Sequence, residues 1–322
     1  MKAILNTARG ELKFTDIPKP VPAAGEVLIR SAVCGVCASD LEMIDGWSRG
    51  RYPQVLGHEW SGFVDECGAG VDRSMLGTPC VAENVLKDGG EVGFEHPGGY
   101  GEYFITEAEK IIPLPKGFSM EMAALMEPLA VAVRGIRRLN PTAGPALIIG
   151  DGPIGLLMLM LMKRHGVEDV TVIGGREARL KLAIETGASR ILNYHDAGKS
   201  LSEYVASQRL KPFASIIEAA KSADAIPLVS RTGANGAKIL LIGNYVDVRS
   251  EIILQEFLHK EFELIGSNAS AGAWPEAVEI AAGGEIPLGK IMSGVYKAAD
   301  FEKAMTEARE SRSSMKTLLK WQ

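Results

Sequence analysis

The chain is poor in cysteine and in long apolar runs and has no excess of positive charge, and each of these removes a class of protein. Only four cysteines occur among 322 residues, Cys34, Cys37, Cys67 and Cys80. That is too few for a disulfide scaffold, and in a cytosolic chain they are expected to be reduced. Cys34-x-x-Cys37 has no second CxxC to complete a zinc finger and no strand-then-helix surroundings of the thioredoxin kind. Cys67 and Cys80 lie in apolar, strand-like stretches and are expected as small core residues. The most apolar stretch, residues 154–162 followed by Lys163-Arg164, is too short to span a bilayer. The opening Met1-Lys2-Ala3-Ile4-Leu5 runs straight into charged residues, without a long apolar region or a cleavage site, so a cytoplasmic protein is expected. A formal net charge of −5 gives no broad attraction for nucleic acid or anionic membrane, and neither is an expected partner. Repeats and low-complexity segments are also lacking.

What remains has the texture of a globular enzyme, with length for two domains. The first third is β-rich: residues 27–33, 61–66 and 79–82 are strand-length apolar runs separated by Gly and Pro. Pro18, Pro20 and Pro22 mark an extended connector. This pattern suits a partly open antiparallel barrel. Residues 120–139 have helical spacing, with a break expected at Pro128. From Ala146 strands and helices alternate, with strands expected at 146–150, 170–174, 190–193, 215–219, 238–243 and 262–266. Helices are expected at 153–165, 176–186, 200–208, 222–231 and 255–260. Six strands with crossovers indicate an α/β fold with a doubly wound parallel sheet. After Gly266 the chain is expected to return to the first domain and complete it with the strand at 317–320. The expected domains are 1–128, 129–267 and 268–322.

Ala146-Leu147-Ile148-Ile149 reads as a buried parallel strand and leads into Gly150-Asp151-Gly152-Pro153-Ile154-Gly155. This is a GxGxxG fingerprint in its strand–turn–helix context. Gly150 permits the tight turn, Gly152 admits a pyrophosphate, and Gly155 allows close helix–sheet packing. Pro153 and Ile154 open the helix whose free N–H groups would face the phosphates. The next strand ends in Gly174-Gly175-Arg176, where an NAD-binding sheet usually carries Asp or Glu for the ribose 2′-OH. Gly174 removes the carboxylate that would repel a 2′-phosphate. Arg176 can pair with that phosphate as a fork, and Arg179 lies one helical turn on. NADP(H) is therefore expected over NAD(H). Tyr194 can flank the adenosine phosphate. The plainer readings are a solvated helix start for Arg176 and a surface position for Tyr194.

A second constellation precedes the fingerprint. Cys37, His58, Glu59 and Glu127 stand in Cys34-Gly35-Val36-Cys37-Ala38-Ser39-Asp40, Gly57-His58-Glu59 and Glu127-Pro128. A thiolate, an imidazole and carboxylates are ligands that Zn²⁺ accepts, and a catalytic site keeps one position open. A thiolate at neutral pH also needs a nearby cation. Asp40 can orient His58, as metal-bound imidazoles usually require. Ser39 can relay a hydroxyl proton; Ser39-Asp40 can equally cap a helix.

These residues together resemble the zinc-dependent medium-chain dehydrogenase/reductase superfamily over nearly the full length. The matching stretches are Cys37-Ala38-Ser39-Asp40, Gly57-His58-Glu59, Glu127-Pro128-Leu129 and the Gly150–Gly155 fingerprint. The branch they most resemble is that of polyol and sugar dehydrogenases, the relatives of sorbitol dehydrogenase. The resemblance implies a GroES-like barrel beside a Rossmann domain. It makes Cys37 rather than Cys34 a ligand, with His58 and Glu59, and puts Glu127 where the branch has an alternative ligand or the partner of a zinc-bound water. Lys316 matches a basic position near the metal, and Gly174-Gly175-Arg176 resembles the turn of NADP-dependent secondary alcohol dehydrogenases. Homodimers or homotetramers are implied.

Two departures stand out. Residues 85–96 replace a four-cysteine lobe that many relatives use for a structural zinc, so one zinc per chain is expected. Glu42 stands where the family often has a relay His two residues after the motif Asp. The expected reaction is hydride transfer between a small secondary alcohol, of polyol, sugar or cyclitol type, and the nicotinamide. Ser39, Glu42 and Glu59 are its expected catalytic residues. Trp47, Trp60 and Phe94 either shape the pocket or pack; Arg49 and Arg51 either meet an anionic substrate or form a solvated pair. Two other functions stay open, a zinc-free quinone or enone reductase of the same superfamily and a non-catalytic cofactor-binding protein.

Overall fold

A computed structural model describes residues 1–198, 201–246 and 248–321. The chain divides into two compact units, one of residues 1–130, 271–284 and 288–322, the other of 131–270 and 285–287.

The first unit is a barrel built around one long strand. Glu26–Gly35 is buried along almost all its length, and its Val, Leu and Ile side chains suit a pleated, two-sided packing surface. It pairs antiparallel with Glu59–Cys67 on one side and with Tyr103–Glu107 and Lys316–Lys320 on the other. Met292–Lys297 adds in parallel to Lys316–Lys320. The strands Met292–Lys297 and Lys316–Lys320 therefore join the barrel sheet. Trp60, Tyr100, Phe104, Ile4, Ile29 and Met43 fill its core. Cys80 belongs to that core, and burial pushes its thiol up to about 12. Cys67, expected there too, is only half-buried at the end of its strand.

The register of this sheet brings chemistry to one end. Gly35 pairs with both Glu59 and Leu318, so the start of Glu59–Cys67 and the start of Lys316–Lys320 meet at the same rung. From Gly35 the chain turns through Val36 into the short helix Ala38–Ile44.

The second unit holds six parallel strands: Ala146–Ile149, Val170–Gly174, Arg190–Asn193, Phe213–Glu218, Gly233–Leu241 and Glu263–Gly266. Numbered in chain order, they lie as 3-2-1-4-5-6, the arrangement of a doubly wound dinucleotide-binding sheet. The apolar run at 154–162 is explained by the helix Pro153–Arg164, whose residues 155–162 are all buried. Among the described residues no helix is long and apolar enough to cross a membrane.

One helix expectation needs correction. The break in residues 120–139 falls between Met120–Ala123 and Met126–Leu139, not at Pro128. Pro128 lies in the first turn of the second helix, where a missing N–H costs nothing because that group has no partner inside the helix. The helix expected at 200–208 is Leu201–Ser207, and Ser200 lies outside the described residues.

Candidate functional site

The metal constellation forms at the barrel end just described. One donor atom each from Cys37, His58 and Glu59 falls within 4.8 Å of the others. Cys37 stands at the N-terminus of Ala38–Ile44 and His58 just before Glu59–Cys67. Asp40 ties the two segments together. Its Oδ2 accepts from the Cys37 N–H at 2.9 Å and from the Tyr100 hydroxyl at 3.1 Å. Its Oδ1 lies 3.2 Å from His58 Nδ1. A proton held on Nδ1 leaves Nε2 as the lone-pair nitrogen, the tautomer a metal requires. Asp40 is fully buried and has three partners, so both of its expected roles, helix cap and imidazole orienter, coexist.

Glu59 is buried at 1% exposure, and the carboxylate is divided in its use. Oε1 accepts from Lys316 Nζ, itself 4% exposed. Oε2 has no hydrogen-bond partner. It passes over bare Gly35, where a Cβ would lie 2.3 Å from it. A buried carboxylate oxygen without a donor is costly, and a cation is what it lacks. A thiolate, an imidazole and a carboxylate around one point suit Zn²⁺ better than the all-oxygen preference of Mg²⁺ or Ca²⁺. The residues present therefore fit the metal that the motif implies.

The local field agrees. Burial alone would lower the pKa of His58, but the charges of Asp40 and Cys37 outweigh it and raise it well above the ordinary value. The cluster is short of positive charge. Cys34 is different: burial raises its thiol well above the usual range and its S–H donates to Gly35 O at 3.6 Å. It packs as a neutral core residue.

Glu127, expected as a fourth ligand, lies outside the three-residue triangle. It comes from the first turn of Met126–Leu139 rather than from the segments around Gly35. Burial raises its carboxyl to about 7, against the lowering pull of His58 and Lys316. Ser39 Oγ lies 3.7 Å from Cys37 Sγ, on the same short helix as the partly exposed Glu42.

The aromatic and basic residues sort themselves. Trp60 is a core residue, edge-on to Phe104 at 4.8 Å. Trp47 packs against the same core. Phe94 alone of the three reaches the site, its ring 4.4 Å from that of His58. Arg49 is partly exposed and already paired, with Glu91 and Glu95 holding it at 2.9 and 2.6 Å. Arg51 is exposed.

In the second unit the fingerprint takes the shape its glycines require. Gly150 has φ +126°, and a Cβ on it would meet the Ala219 backbone at 3.0 Å. A Cβ on Gly155 would lie 2.0 Å from Gly150 O, so only glycine lets the helix approach the strand. A Cβ on Gly152 would meet nothing within 4 Å, which leaves the helix N-terminus open to a phosphate. Pro153 and Ile154 form the first turn.

Asp151, passed over in the sequence, organises the neighbouring turn. Its Oδ2 accepts from the N–H groups of Gly175 and Arg176 at 2.9 and 2.8 Å, and Oδ1 lies 3.4 Å from the Arg176 guanidinium. Gly174 is bare because a Cβ there would strike the Asp151 side chain. Tyr194 lies directly over Gly175, where a Cβ would come 2.0 Å from its ring. Arg179 is near enough that burial, then the charge of Arg176, lower its pKa. Arg176, Arg179 and Tyr194 thus surround one turn. An acidic residue inside GxG followed by two glycines at the next strand end is the signal that could have found Asp151. Tyr100, sixty residues from Asp40, left no signal in the sequence.

Comparison with known proteins agrees with this geometry. The alcohol dehydrogenase GroES-like domain family matches residues 23–116, and the zinc-binding dehydrogenase family matches residues 153–283. Together they span more than two thirds of the chain. The chain is 28% identical to D-arabitol-phosphate dehydrogenase of Enterococcus avium, over 96% of this chain and 95% of the relative. It is 25% identical to sorbitol dehydrogenase of Halalkalibacterium halodurans, over 99% of each. The crystal structure of the RspB alcohol dehydrogenase of Escherichia coli CFT073, complexed with NADH, superimposes with a TM-score of 0.93 at 26% identity, covering 100% of this chain and 99% of that one. Matched along both units, the chain belongs to the zinc-type medium-chain dehydrogenases of the alcohol dehydrogenase superfamily, a family of nicotinamide-linked alcohol oxidoreductases.

Proposed function

We propose that this chain is a zinc-dependent, NADP-preferring dehydrogenase that interconverts a small secondary alcohol, of polyol, sugar or cyclitol type, and its ketone. The observation that carries the reading is the buried Glu59 Oε2 without a partner, set beside Cys37 and an Asp40-oriented His58. Cys37 Sγ, His58 Nε2 and Glu59 Oε2 would hold one zinc ion. Bound there, zinc lowers the pKa of an alcohol hydroxyl and polarises a carbonyl. The nicotinamide supplies the hydride acceptor.

The chain's own side chains then orient and move protons. Asp40 keeps the His58 proton on Nδ1. Lys316 holds Glu59 Oε1 and balances its charge. Ser39 Oγ receives the proton of the substrate hydroxyl, and Glu42, on the same helix, passes it towards solvent. Glu127 serves as an exchanging carboxylate or as the acceptor for a water at the centre. Two carboxylates beside the metal favour a hydroxyl-rich substrate over a greasy one, and the arabitol-phosphate and sorbitol relatives support that class. Purified protein with one zinc per chain that oxidises polyols or cyclitols with NADP⁺, and loses this on chelation, meets the proposal. NADPH oxidation of quinones that survives chelation sinks it in favour of a zinc-free reductase, and cofactor binding without turnover of any alcohol sinks it in favour of a binding protein.

The RspB relative carries NADH, so the preference for NADP(H) rests on this chain's own turn. Gly175, not Asp or Glu, follows Gly174, and the Arg176 guanidinium, 3.4 Å from Asp151 Oδ1, lies there with Arg179 and Tyr194. Replacing Arg176 with Ala is expected to raise the Kd for NADP⁺ by about 10- to 100-fold, as loss of a charge-assisted pair of roughly 1.5–3 kcal/mol requires. The Kd for NAD⁺ should stay nearly constant. Equal losses for both cofactors, read by fluorescence titration, remove the preference.

A homodimer or homotetramer is the expected assembly. Ile253, Leu254, Leu258 and Leu264 are 61, 76, 70 and 46% exposed around the helix Leu254–Lys260 and the edge strand Glu263–Gly266. Contiguous exposed apolar side chains beside an open sheet edge mark an interface. Leu254→Asp with Leu258→Asp is expected to yield monomers by light scattering. An unchanged oligomer would move the interface elsewhere.

A further inference from the structure

Residues 85–96, which hold no cysteine, fold into a compact loop of their own. Val85 bridges to Glu91 and Val92 to His96. Asp88 accepts from the Gly90 N–H and meets His96 Nε2, each at 2.9 Å. The loop reaches His58 in three ways. Asn84, just ahead of it, donates to His58 O at 2.8 Å and is itself held by Trp60 Nε1. Gly93, at φ +83°, packs so close that a Cβ would lie 2.5 Å from both Gly57 C and His58 N. Phe94, 6% exposed, lays its ring 4.4 Å from the His58 imidazole at an angle of 33°.

Phe94 is in turn held. The Arg49 guanidinium sits 4.1 Å from its ring centroid, within cation–π range. Arg49 donates to Glu95 at 2.6 and 2.9 Å and to Glu91 at 2.9 Å. Glu95 also accepts from the Glu91 N–H at 3.0 Å. Arg49 therefore connects two acidic residues of the loop to the aromatic ring that packs on His58.

We propose that this loop is a clamp on the metal centre: Phe94, gripped by Arg49, Glu91 and Glu95, is a positioning residue that fixes the His58 imidazole, so zinc affinity is set in part by residues that never touch the ion. Asp40 meets the ring at Nδ1 and Cys37 also bonds it, and such in-plane contacts at its edges leave the ring some freedom to tilt about its Cβ–Cγ bond. Packing against Phe94 removes that freedom. The inference rests on the zinc reading of Cys37, His58 and Glu59. Partners beyond the ligands commonly govern metal affinity by about 10- to 100-fold.

The test is zinc competition against a chromophoric chelator, run on the full chain and on Phe94→Leu, Arg49→Gln and Phe94→Tyr. Phe94→Leu and Arg49→Gln are each expected to bind zinc about 10-fold or more weakly. Phe94→Tyr keeps the ring and should match the parent. In cobalt-substituted protein the visible bands of Phe94→Leu should shift while those of Phe94→Tyr do not, a change that a purely structural loop would not produce. NADP⁺ affinity should be the same in all four proteins. Should Phe94→Leu fail to fold, Arg49→Gln, at a partly exposed position, decides. Zinc affinities within about twofold of the parent for the loop variants, with unchanged cobalt spectra, overturn the clamp and leave the zinc reading intact. A parent chain that takes up no zinc overturns both.

Discussion

Cys37→Ala should leave the protein folded, nearly free of zinc and without measurable alcohol oxidation. Cys37 supplies the only thiolate of the proposed donor set, and the remaining imidazole and carboxylate form a two-donor site that zinc leaves readily. Loss of Lewis-acid stabilisation worth about 4 kcal/mol corresponds to about a thousandfold in kcat/KM. Cofactor affinity should stay at the parent value, because the fingerprint lies in the other unit. Paired measurements of metal content and kcat/KM check this. Parent-like turnover in metal-depleted Cys37→Ala contradicts it and points to the zinc-free reductase reading. Cys34→Ala is the control: its buried, neutral thiol packs against Gly57 and Gly99, so the variant should lose stability rather than zinc.

The second large effect is expected at Lys316. Lys316 and Glu59 are both almost fully buried, and each is the other's counter-charge. Removing one member of a buried pair strands the other in a poorly polarisable environment and costs about 3–5 kcal/mol. Lys316→Met should therefore lower metal-free stability by about that amount, seen as a shift of the denaturant midpoint. Added zinc should recover part of the loss in Lys316→Met, because a dication at Glu59 supplies positive charge in place of the missing ammonium. Lys316→Met with Glu59→Gln should be milder than Lys316→Met alone, since no buried charge is then left over. A denaturant midpoint that Lys316→Met leaves unmoved contradicts the pairing.

Much of this was legible in the sequence, for physical reasons that differ by element. The parallel strand Ala146–Ile149 announces itself because a strand covered on both faces must be apolar throughout. The fingerprint is readable because its glycines answer local steric demands, the approach of Gly155 to Gly150 O above all. Cys37, His58 and Glu59 are readable as residue types, yet their meeting depends on the rung that joins Gly35 to both Glu59 and Leu318. That register is a long-range property of the sheet.

What was misread depended on tertiary context. Pro128 looked like a helix break but sits where a first turn tolerates it. Arg49 read either as a partner for a substrate anion or as a solvated loop residue, and its partly exposed guanidinium is held by Glu91, Glu95 and Phe94, a contact the sequence did not disclose. Tyr100 acts through a hydrogen bond to Asp40 that only the fold brings about, and no spacing rule exposes such a contact.

The central claim is that Cys37, His58 and Glu59 share one ion. X-ray absorption at the zinc edge of zinc-loaded protein tests it most directly. One sulfur at about 2.3 Å with nitrogen and oxygen donors at about 2.0–2.2 Å is the predicted set of neighbours. A shell with two or more sulfurs, or one of nitrogen and oxygen alone in the parent, would contradict the account.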